Sequence, residues 1–304
     1  MDRQKVLAIV GPTGIGKTSL SVWLAKQLDG EIISCDSMQV YKKMDIGTAK
    51  VTQEEMQGIH HELIDVQNYN EPYNVKVFQE KCRTAIEDVV KRGKFPILCG
   101  GTGFYLKAAL YDYEFQEENE DIAYTTFLNS KTNEELVAML KEKDEKALEK
   151  IHPNNRKRLI RALQICRSGT SKSEQEDKQQ HIPLYDVYFL GLDVNREILH
   201  DRINKRVDIM FENGLVKEVE ELFSNPKTWK YTSFQGIGYK EFKDYFLKEK
   251  SIDEVKTAIK THSRQYAKRQ YTWFKNQMPV HWFEAQNRDE IYSAVKEWLM
   301  DEDK

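Results

Sequence analysis

Short apolar blocks alternate with amphipathic runs along the chain. Val6 to Val10 is uninterrupted apolar sequence, the pattern of a parallel strand buried on both faces. A glycine-rich turn follows. From Ser19 to Leu28, apolar residues at Leu20, Trp23, Leu24 and Leu28 recur at helical spacing. Glu31–Ser34, Phe95–Cys99 and Tyr185–Val194 read as further strands. Strands that alternate with helices predict an α/β fold with a parallel sheet flanked by helices. After Val194 the pattern is mostly helical. Ser251-Ile252-Asp253-Glu254 has capping-box spacing and predicts a long helix from about Ile252 to Asn276.

Between Tyr113 and Pro183 the character changes. Glu134 to Lys150 is dense in Glu, Lys and Leu, which predicts helix. Ser171 to Gln180 has no apolar residue and predicts a loop. The expected organisation is an α/β core, residues 1–112 and 184–304, interrupted by a helical insertion domain, residues 113–183.

The turn after the first strand carries the clearest chemistry. Gly11-Pro12-Thr13-Gly14-Ile15-Gly16-Lys17-Thr18 fits G-x-x-x-x-G-K-[ST] between a predicted strand and a predicted helix, the context this phosphate-binding loop requires. Its glycines let backbone N–H groups turn inward around phosphate oxygens, and the helix N-terminus adds partial positive charge. Lys17 supplies a point charge, and Thr18 offers a hydroxyl to Mg²⁺. The loop therefore predicts a diphosphate or triphosphate ligand and the P-loop NTPase-like class of fold. Phosphoryl-transfer enzymes of this class carry a second acid at the end of an apolar strand to hold the metal. Phe95–Cys99 ends instead in Gly100-Gly101-Thr102-Gly103, and Asp65, after a less apolar run, is a weak substitute.

The second strand ends in Cys35-Asp36-Ser37-Met38-Gln39-Val40-Tyr41. Ligands of open parallel sheets bind beyond the carboxyl ends of the strands, so Asp36 should lie near the phosphate loop. A carboxylate there serves either as a general base or as a metal ligand through water; a turn or helix cap is the purely structural alternative. Gln39 has the amide needed to read an adenine edge. Thr102, a hydroxyl flanked by glycines at another strand end, suits close approach of a ligand.

Charge enters by its distribution, because the formal net charge is only −3. From Val255 to Phe283 there are six Lys or Arg and no Asp or Glu. Lys256, Lys260, Arg264 and Lys268 recur at every fourth position and predict a basic stripe, with Arg269 beside it and Tyr266, Tyr271, Trp273 and Phe274 interleaved. Backbone charge contacts with aromatic stacking suit single-stranded RNA, whereas a solvated face over core aromatics is the structural alternative. A second basic cluster, Arg156-Lys157-Arg158 with Arg161 and Arg167, follows His152-Pro153. The four cysteines are scattered, without zinc-site spacing, and read as reduced thiols. His60-His61 reads as structural. No stretch approaches the length of a membrane span, so a soluble, cytoplasmic protein, and a monomer, is expected.

Taken in order, these segments resemble the bacterial tRNA dimethylallyltransferases. The resemblance rests on the phosphate loop, Asp36 to Tyr41, Met44 to Lys50, His60 to Asp65, Glu71-Pro72-Tyr73 and Gly100 to Tyr105. It continues through Arg158 to Leu163, Gln235-Gly236-Ile237-Gly238-Tyr239 and Lys268 to Phe274. The stretch from Glu114 to Asn129 departs from the family pattern and is acidic. The resemblance implies transfer of a dimethylallyl group from dimethylallyl diphosphate to N6 of adenosine 37 in the tRNA anticodon stem-loop, with Mg²⁺ as cofactor. It implies Asp36 as general base and Thr102, Lys17 and Arg206 as further catalytic groups, with Arg202 the runner-up to Arg206. It further implies tRNA contacts at Ser37, Met38, Gln39, Gly236 and Gly238, at Lys260, Arg264, Lys268 and Arg269, and, in the insertion, at Lys157, Arg158 and Arg161. A small-molecule or nucleoside kinase using ATP is the alternative reading of the same loop.

Overall fold

A computed structural model describes residues 3–115, 121–174, 179 and 181–301. The chain divides into two compact units, 1–111 with 183–304, and 112–182.

The larger unit is built on a six-stranded parallel sheet of order β3-β2-β4-β1-β5-β6. The strands are β1 (Lys5–Val10), β2 (Gly30–Ser34), β3 (His61–Glu62), β4 (Phe95–Gly100), β5 (Asp186–Asp193) and β6 (His281–Glu284). The helices between them are α1 (Lys17–Leu28), α2 (Gln53–Met56), α3 (Val75–Lys91) and α4 (Gly103–Leu110). Alternation along β1 explains the two-layer cover. Val6, Ala8 and Val10 enter one apolar core, and Leu7 and Ile9 enter the other, on the opposite face. All five are fully buried, which is why the run reads as continuous apolar sequence.

The central position of β1, between β4 and β5, sets the phosphate loop at a switch in strand order, where such sheets open a crevice. The predicted strands over Val6–Val10, Glu31–Ser34, Phe95–Cys99 and Tyr185–Val194 all form, each within a residue or two of the expected bounds. β3 and β6 have no counterpart in the sequence pattern. Two and four residues are too short for a periodic signal, and their pairing is with distant strands, Ile32 with His61 and Gly191 with Trp282.

The smaller unit consists of α5 (Ile122–Ser130), α6 (Asn133–Asp144), a 3₁₀ turn over Glu145–Glu149, and α7 (Arg156–Arg167). It has its own core, including Leu128, Leu136, Leu140, Leu159 and Leu163. The helix expected over Glu134–Lys150 breaks at Asp144. Its carboxylate accepts from the Ala147 N–H at 3.2 Å and from the Ser173 hydroxyl at 2.6 Å, which caps a new, tighter turn. Of the segment 171–180, expected as a loop, residues 172–174 are helical, and 175–178 and 180 lie outside the described residues. So do 116–120 of the acidic stretch 114–129.

The last part of the chain returns to the larger unit as α8 (Arg196–Glu212), α9 (Leu215–Phe223), α10 (Phe242–Phe246), α11 (Ile252–Gln277) and α12 (Arg288–Met300). The capping box at the head of α11 is present, with Ser251 accepting from Glu254 N and Glu254 accepting from Ser251 N. Among the described residues no helix is long and apolar enough to cross a membrane.

Candidate active site

The phosphate loop joins β1 to α1 through three glycines of positive φ, Gly11 (+141°), Gly14 (+79°) and Gly16 (+105°). Side chains rarely adopt this backbone, so the motif's glycines are conformational requirements. A Cβ on Gly14 would also stand 3.1 Å from Ile203 Cγ1, so α8 packs directly on the loop. Lys17 Nζ donates to the carbonyls of Gly11 (2.9 Å) and Pro12 (2.8 Å), turning its charge back into its own loop. Burial pushes this ammonium down to about 8, and the nearby Arg206 adds to the fall. Thr18 is exposed on the first turn of α1, and its hydroxyl makes no hydrogen bond among the described residues.

Asp36 follows β2 directly. Its Oδ1 accepts from the N–H of Met38 (2.8 Å) and of Gln39 (3.2 Å), so the capping alternative is true of one oxygen. Opposite it, Arg206 on α8 donates to Thr13 Oγ1 at 3.1 Å and reaches the carbonyls of Thr48 and Ala49. Arg206 is held low by burial and raised by the charge of Asp36, which places the two in one electrostatic site. Arg202, one turn earlier, contacts the Ile15 carbonyl at 3.4 Å instead. Of the two arginines only Arg206 lines the cavity.

That cavity has a volume of about 360 Å³ and is bordered by Thr13, Asp36, Ser37, Arg206, Tyr266 and Arg269. Met38, Ile203, Val207, Met210 and Ile237 give it an apolar wall. One space therefore meets a carboxylate, two guanidinium groups and an apolar surface. Gly236 also lines it, and a Cβ there would collide with Met38 Cε. Gly238 has φ +99°, and a Cβ there would stand 3.0 Å from the Gly47 carbonyl oxygen. Gln39 is half-buried and donates its amide to the carbonyls of Thr48 (3.4 Å) and Ala49 (3.2 Å), so those N–H groups already have partners.

Thr102 opens α4 without a side-chain cap bond. Burial raises the phenol of Tyr266, on α11, above its ordinary value, and nearby Thr102 offsets part of that rise. Two groups to which the sequence reading assigns no role complete the frame, one of them, Gln270, inside the segment Lys268–Phe274 that carries the resemblance. Gln270 joins the phosphate loop to the Gly101 turn. Glu218 on α9 accepts from the N–H groups of Asp45 (2.8 Å), Ile46 (2.7 Å) and Gly47 (3.0 Å), and from the Tyr239 hydroxyl (2.8 Å). Only the fold brings them to their partners.

The expected basic stripe is not a uniform solvent face. Lys256 and Lys260 are half-buried and share the Asp208 carboxylate at 2.6 and 2.7 Å, which holds that acid below its usual range. Arg264 donates to Asn204 at 2.6 Å. The cause is α8, whose polar side faces α11. Lys268 and Arg269 are exposed. The aromatics also differ from a stacking platform: Phe274 is fully buried, the Trp273 ring covers Gly103, and the Tyr271 hydroxyl donates to Asp193 at 2.6 Å. Tyr266 alone of the four lines the cavity. Within the smaller unit, Lys157, Arg158 and Arg161 lie on the exposed side of α7, while Arg156 is tied to Asn133 and to the carbonyls of Leu128 and Asn129.

The strand-end acids are engaged elsewhere. Asp65 pairs with the buried Lys50 at 2.6 Å. Asp193, at the end of β5, is held by Tyr271. β4 ends in glycine, as its sequence requires. Glu31, His60 and Glu62 stand close enough to hold a metal ion, but Arg92 binds both carboxylates at 2.6 and 2.9 Å and neutralises them. His61 turns to the Ile59 carbonyl.

A parallel sheet with this glycine loop at the end of its central strand defines a P-loop α/β protein, and the cleft beside the loop gives it an enzyme's site. The family model described as IPP transferase matches residues 39–277, and the chain belongs to that family. It is 48% identical over 301 residues to a tRNA dimethylallyltransferase of Bacillus anthracis, covering 97% of this chain and 96% of that one. Among solved structures it is similar to the full-length tRNA isopentenylpyrophosphate transferase of Bacillus halodurans, with a TM-score of 0.74, 41% identity, and 98% and 97% of the two chains covered. It is also similar to a eukaryotic dimethylallyltransferase solved acting on tRNA, with a TM-score of 0.83, 31% identity, and 97% and 79% covered.

Proposed function

We propose that this enzyme transfers the dimethylallyl group of dimethylallyl diphosphate to N6 of adenosine 37 in the anticodon stem-loop of tRNA, giving N6-dimethylallyladenosine and diphosphate. The observation that carries the reading is the meeting of Asp36 and Arg206 across one cavity that opens on the phosphate loop at Thr13. The comparisons bring tRNA prenyl transfer as the activity of the relatives, and none brings a kinase.

In this reading the loop N–H groups, Lys17 and Arg206 bind the diphosphate and stabilise the negative charge that grows as it leaves. The apolar wall formed by Val207, Met210 and Ile237 receives the five-carbon chain. N6 attacks the allylic carbon, the carbon–oxygen bond to diphosphate breaks, and the N6 proton passes to Asp36. An exocyclic adenine amine is weakly nucleophilic, so removing this proton as the bond forms is the step most in need of a base. The Asp36 Oδ2, which makes no hydrogen bond among the described residues, is the oxygen left for it. Thr102, at the head of α4, does not itself line the cavity, and its part at the reacting centre rests on the family resemblance alone.

The exposed Thr18 hydroxyl, at the head of α1 beside the phosphate loop, is a hard oxygen donor of the kind Mg²⁺ takes and would hold the ion there. When bound, the ion supplies positive charge to the diphosphate. The adenosine must leave its stack to enter the cavity, which costs less from a single-stranded loop than from a duplex. Ser37 and Met38 line its path. The exposed cations, Lys268 and Arg269 in the larger unit and Lys157, Arg158 and Arg161 in the smaller, neutralise RNA phosphates.

The test is incubation with labelled dimethylallyl diphosphate and unmodified tRNA, with ATP in a parallel reaction. Label should enter tRNA without ATP and be lost when adenosine 37 is replaced by guanosine. Consumption of ATP at a comparable rate, with no transfer, would return the kinase reading.

A further inference from the structure

Gln270 sits near the middle of α11, almost wholly buried, with both ends of its amide in use. Its Oε1 accepts from the Thr13 N–H at 2.9 Å, and its Nε2 donates to the Gly101 carbonyl at 2.9 Å. These partners lie beyond the ends of adjacent strands, since β1 and β4 pair Val10 with Gly100. One belongs to the phosphate loop, and the other immediately precedes Thr102. Thr13 also receives Arg206 on its hydroxyl, so the same residue links the amide to the cavity's cation. Gly101 is obligatory for the arrangement, because a Cβ there would collide with Gln270 Nε2. Tyr266, one helical turn before Gln270 on the same face of α11, lines the cavity itself.

We propose that Gln270 is a positioning residue for prenyl transfer, a single amide that holds the diphosphate loop and the Thr102 turn at a fixed separation. The proposal rests on the transfer reaction assigned above. Its physical content is geometric. In that reaction the loop binds the leaving group, and the turn held by Gln270 carries Thr102, the hydroxyl assigned to the reacting centre. Transfer needs both in place at once, and small errors in such placement cost rate far more than they cost binding. Packing alone does not ask for this residue: a leucine or methionine would fill the volume. An amide accepts from one backbone and donates to the other at any pH, and an interior amide with both groups satisfied fixes one geometry.

The test uses the full chain, with turnover measured on tRNA and donor affinity measured separately with inorganic diphosphate. Gln270→Leu should lower kcat by roughly 10²-fold, the scale of a misplaced reacting pair, while diphosphate affinity stays within about threefold. Gln270→Glu keeps the acceptor for Thr13 and loses the donor to Gly101 until it is protonated. Its kcat, divided by that of the wild type at each pH, should therefore rise as pH falls, and the same ratio for Gln270→Leu should stay flat. Gly101→Ala, which displaces the amide from the other side, should reproduce the loss and keeps the test alive if the leucine variant does not fold. Folded variants with kcat within twofold of wild type, or a Gln270→Glu ratio that does not change with pH, would overturn the proposal. So would loss of diphosphate affinity in step with kcat, which would mean that the loop had merely collapsed. Failure of the transferase reading looks different, because the wild type itself would then transfer nothing.

Discussion

Lys17 donates its ammonium to the carbonyl of Gly11, 2.9 Å away in the same loop. The loop's cation is thus satisfied by the loop before any phosphate arrives, and an incoming diphosphate must exchange those carbonyls for its own oxygens. Because burial pushes Lys17 down to about 8, the exchange depends on pH. The sign follows from the depressed value. Below pH 8 the free protein already carries the ammonium. Above it the lysine is neutral, while a bound diphosphate favours the charged form, so binding must take up a proton. Taken relative to Lys17→Met at each pH, which cancels the titration of diphosphate itself, affinity should be flat to about pH 7.5 and then fall, by at most about tenfold per pH unit, once the lysine has deprotonated. Calorimetry in buffers of different ionisation enthalpy would detect the proton. Lys17→Met should bind weakly throughout, and a ratio flat through about pH 9.5 would remove Lys17 from the diphosphate.

Asp36 is suited to a clean substitution. Its Oδ1 holds the turn through Met38 and Gln39, and an asparagine carbonyl can accept the same two bonds. Asp36→Asn should therefore fold with unchanged thermal stability and lose roughly 10²- to 10⁴-fold in turnover, the range of a general base. tRNA affinity should change little. Wild-type turnover in this variant would reduce Asp36 to its cap.

The cations of α11 divide into two classes, and salt dependence can separate them. Removing one lysine or arginine from an RNA phosphate should reduce the slope of log affinity against log salt by about 0.7 to 0.9. Replacing Lys268 and Arg269 by glutamine should flatten the slope by nearly two such steps. Replacing Lys260 and Arg264 should flatten it less, because one already pairs with Asp208 and the other with Asn204. Equal slopes for the two double variants would show that the Asp208 pair opens to RNA. Arg158→Gln with Arg161→Gln tests the smaller unit by the same measurement, with an expected loss like that of the Lys268 pair.

How far the sequence carries these assignments depends on the range of the interaction. The phosphate loop, the buried strands and the head of α11 are local: each is written in adjacent residues whose spacing states the geometry. Asp36 is legible because a strand end fixes where its side chain goes. The pairing of Lys256 and Lys260 with Asp208 is not, since nothing near residue 208 announces that α8 will lie against α11. Of the two readings of the aromatics, the fold decides for core at Trp273 and Phe274: the Trp273 ring covers Gly103, a contact between residues 170 positions apart, and Phe274 is fully buried. Gln270 and Glu218 are single polar residues in helices, the kind a pattern assigns to solvent until the fold supplies their partners.

Glu218 offers the last test, of the wall rather than the chemistry. Its carboxylate gathers the N–H groups of Asp45, Ile46 and Gly47 together with the hydroxyl of the buried Tyr239. Gly47 and Thr48 border the cavity, and a Cβ on Gly47 would meet the Tyr239 ring at 2.5 Å, so the segment is pressed against that ring. Glu218→Ala leaves three amides and a phenol without their acceptor. The cost should be about 2 kcal/mol of stability, because water can reach part of the half-buried segment. Glu218→Gln keeps an acceptor for the Asp45 and Ile46 amides but turns an NH2 toward Gly47 N–H, and should cost about half as much. Hydrogen exchange at residues 45–47 should accelerate sharply in the alanine variant and modestly in the glutamine variant. The effect on function should then be a raised KM for tRNA with diphosphate affinity preserved, since the phosphate loop hangs on β1 and α11 and not on α9. If exchange at 45–47 stays at the wild-type rate in Glu218→Ala, the segment is held by Tyr239 and by Lys50, which pairs with Asp45 at 2.6 Å, and Glu218 only decorates it.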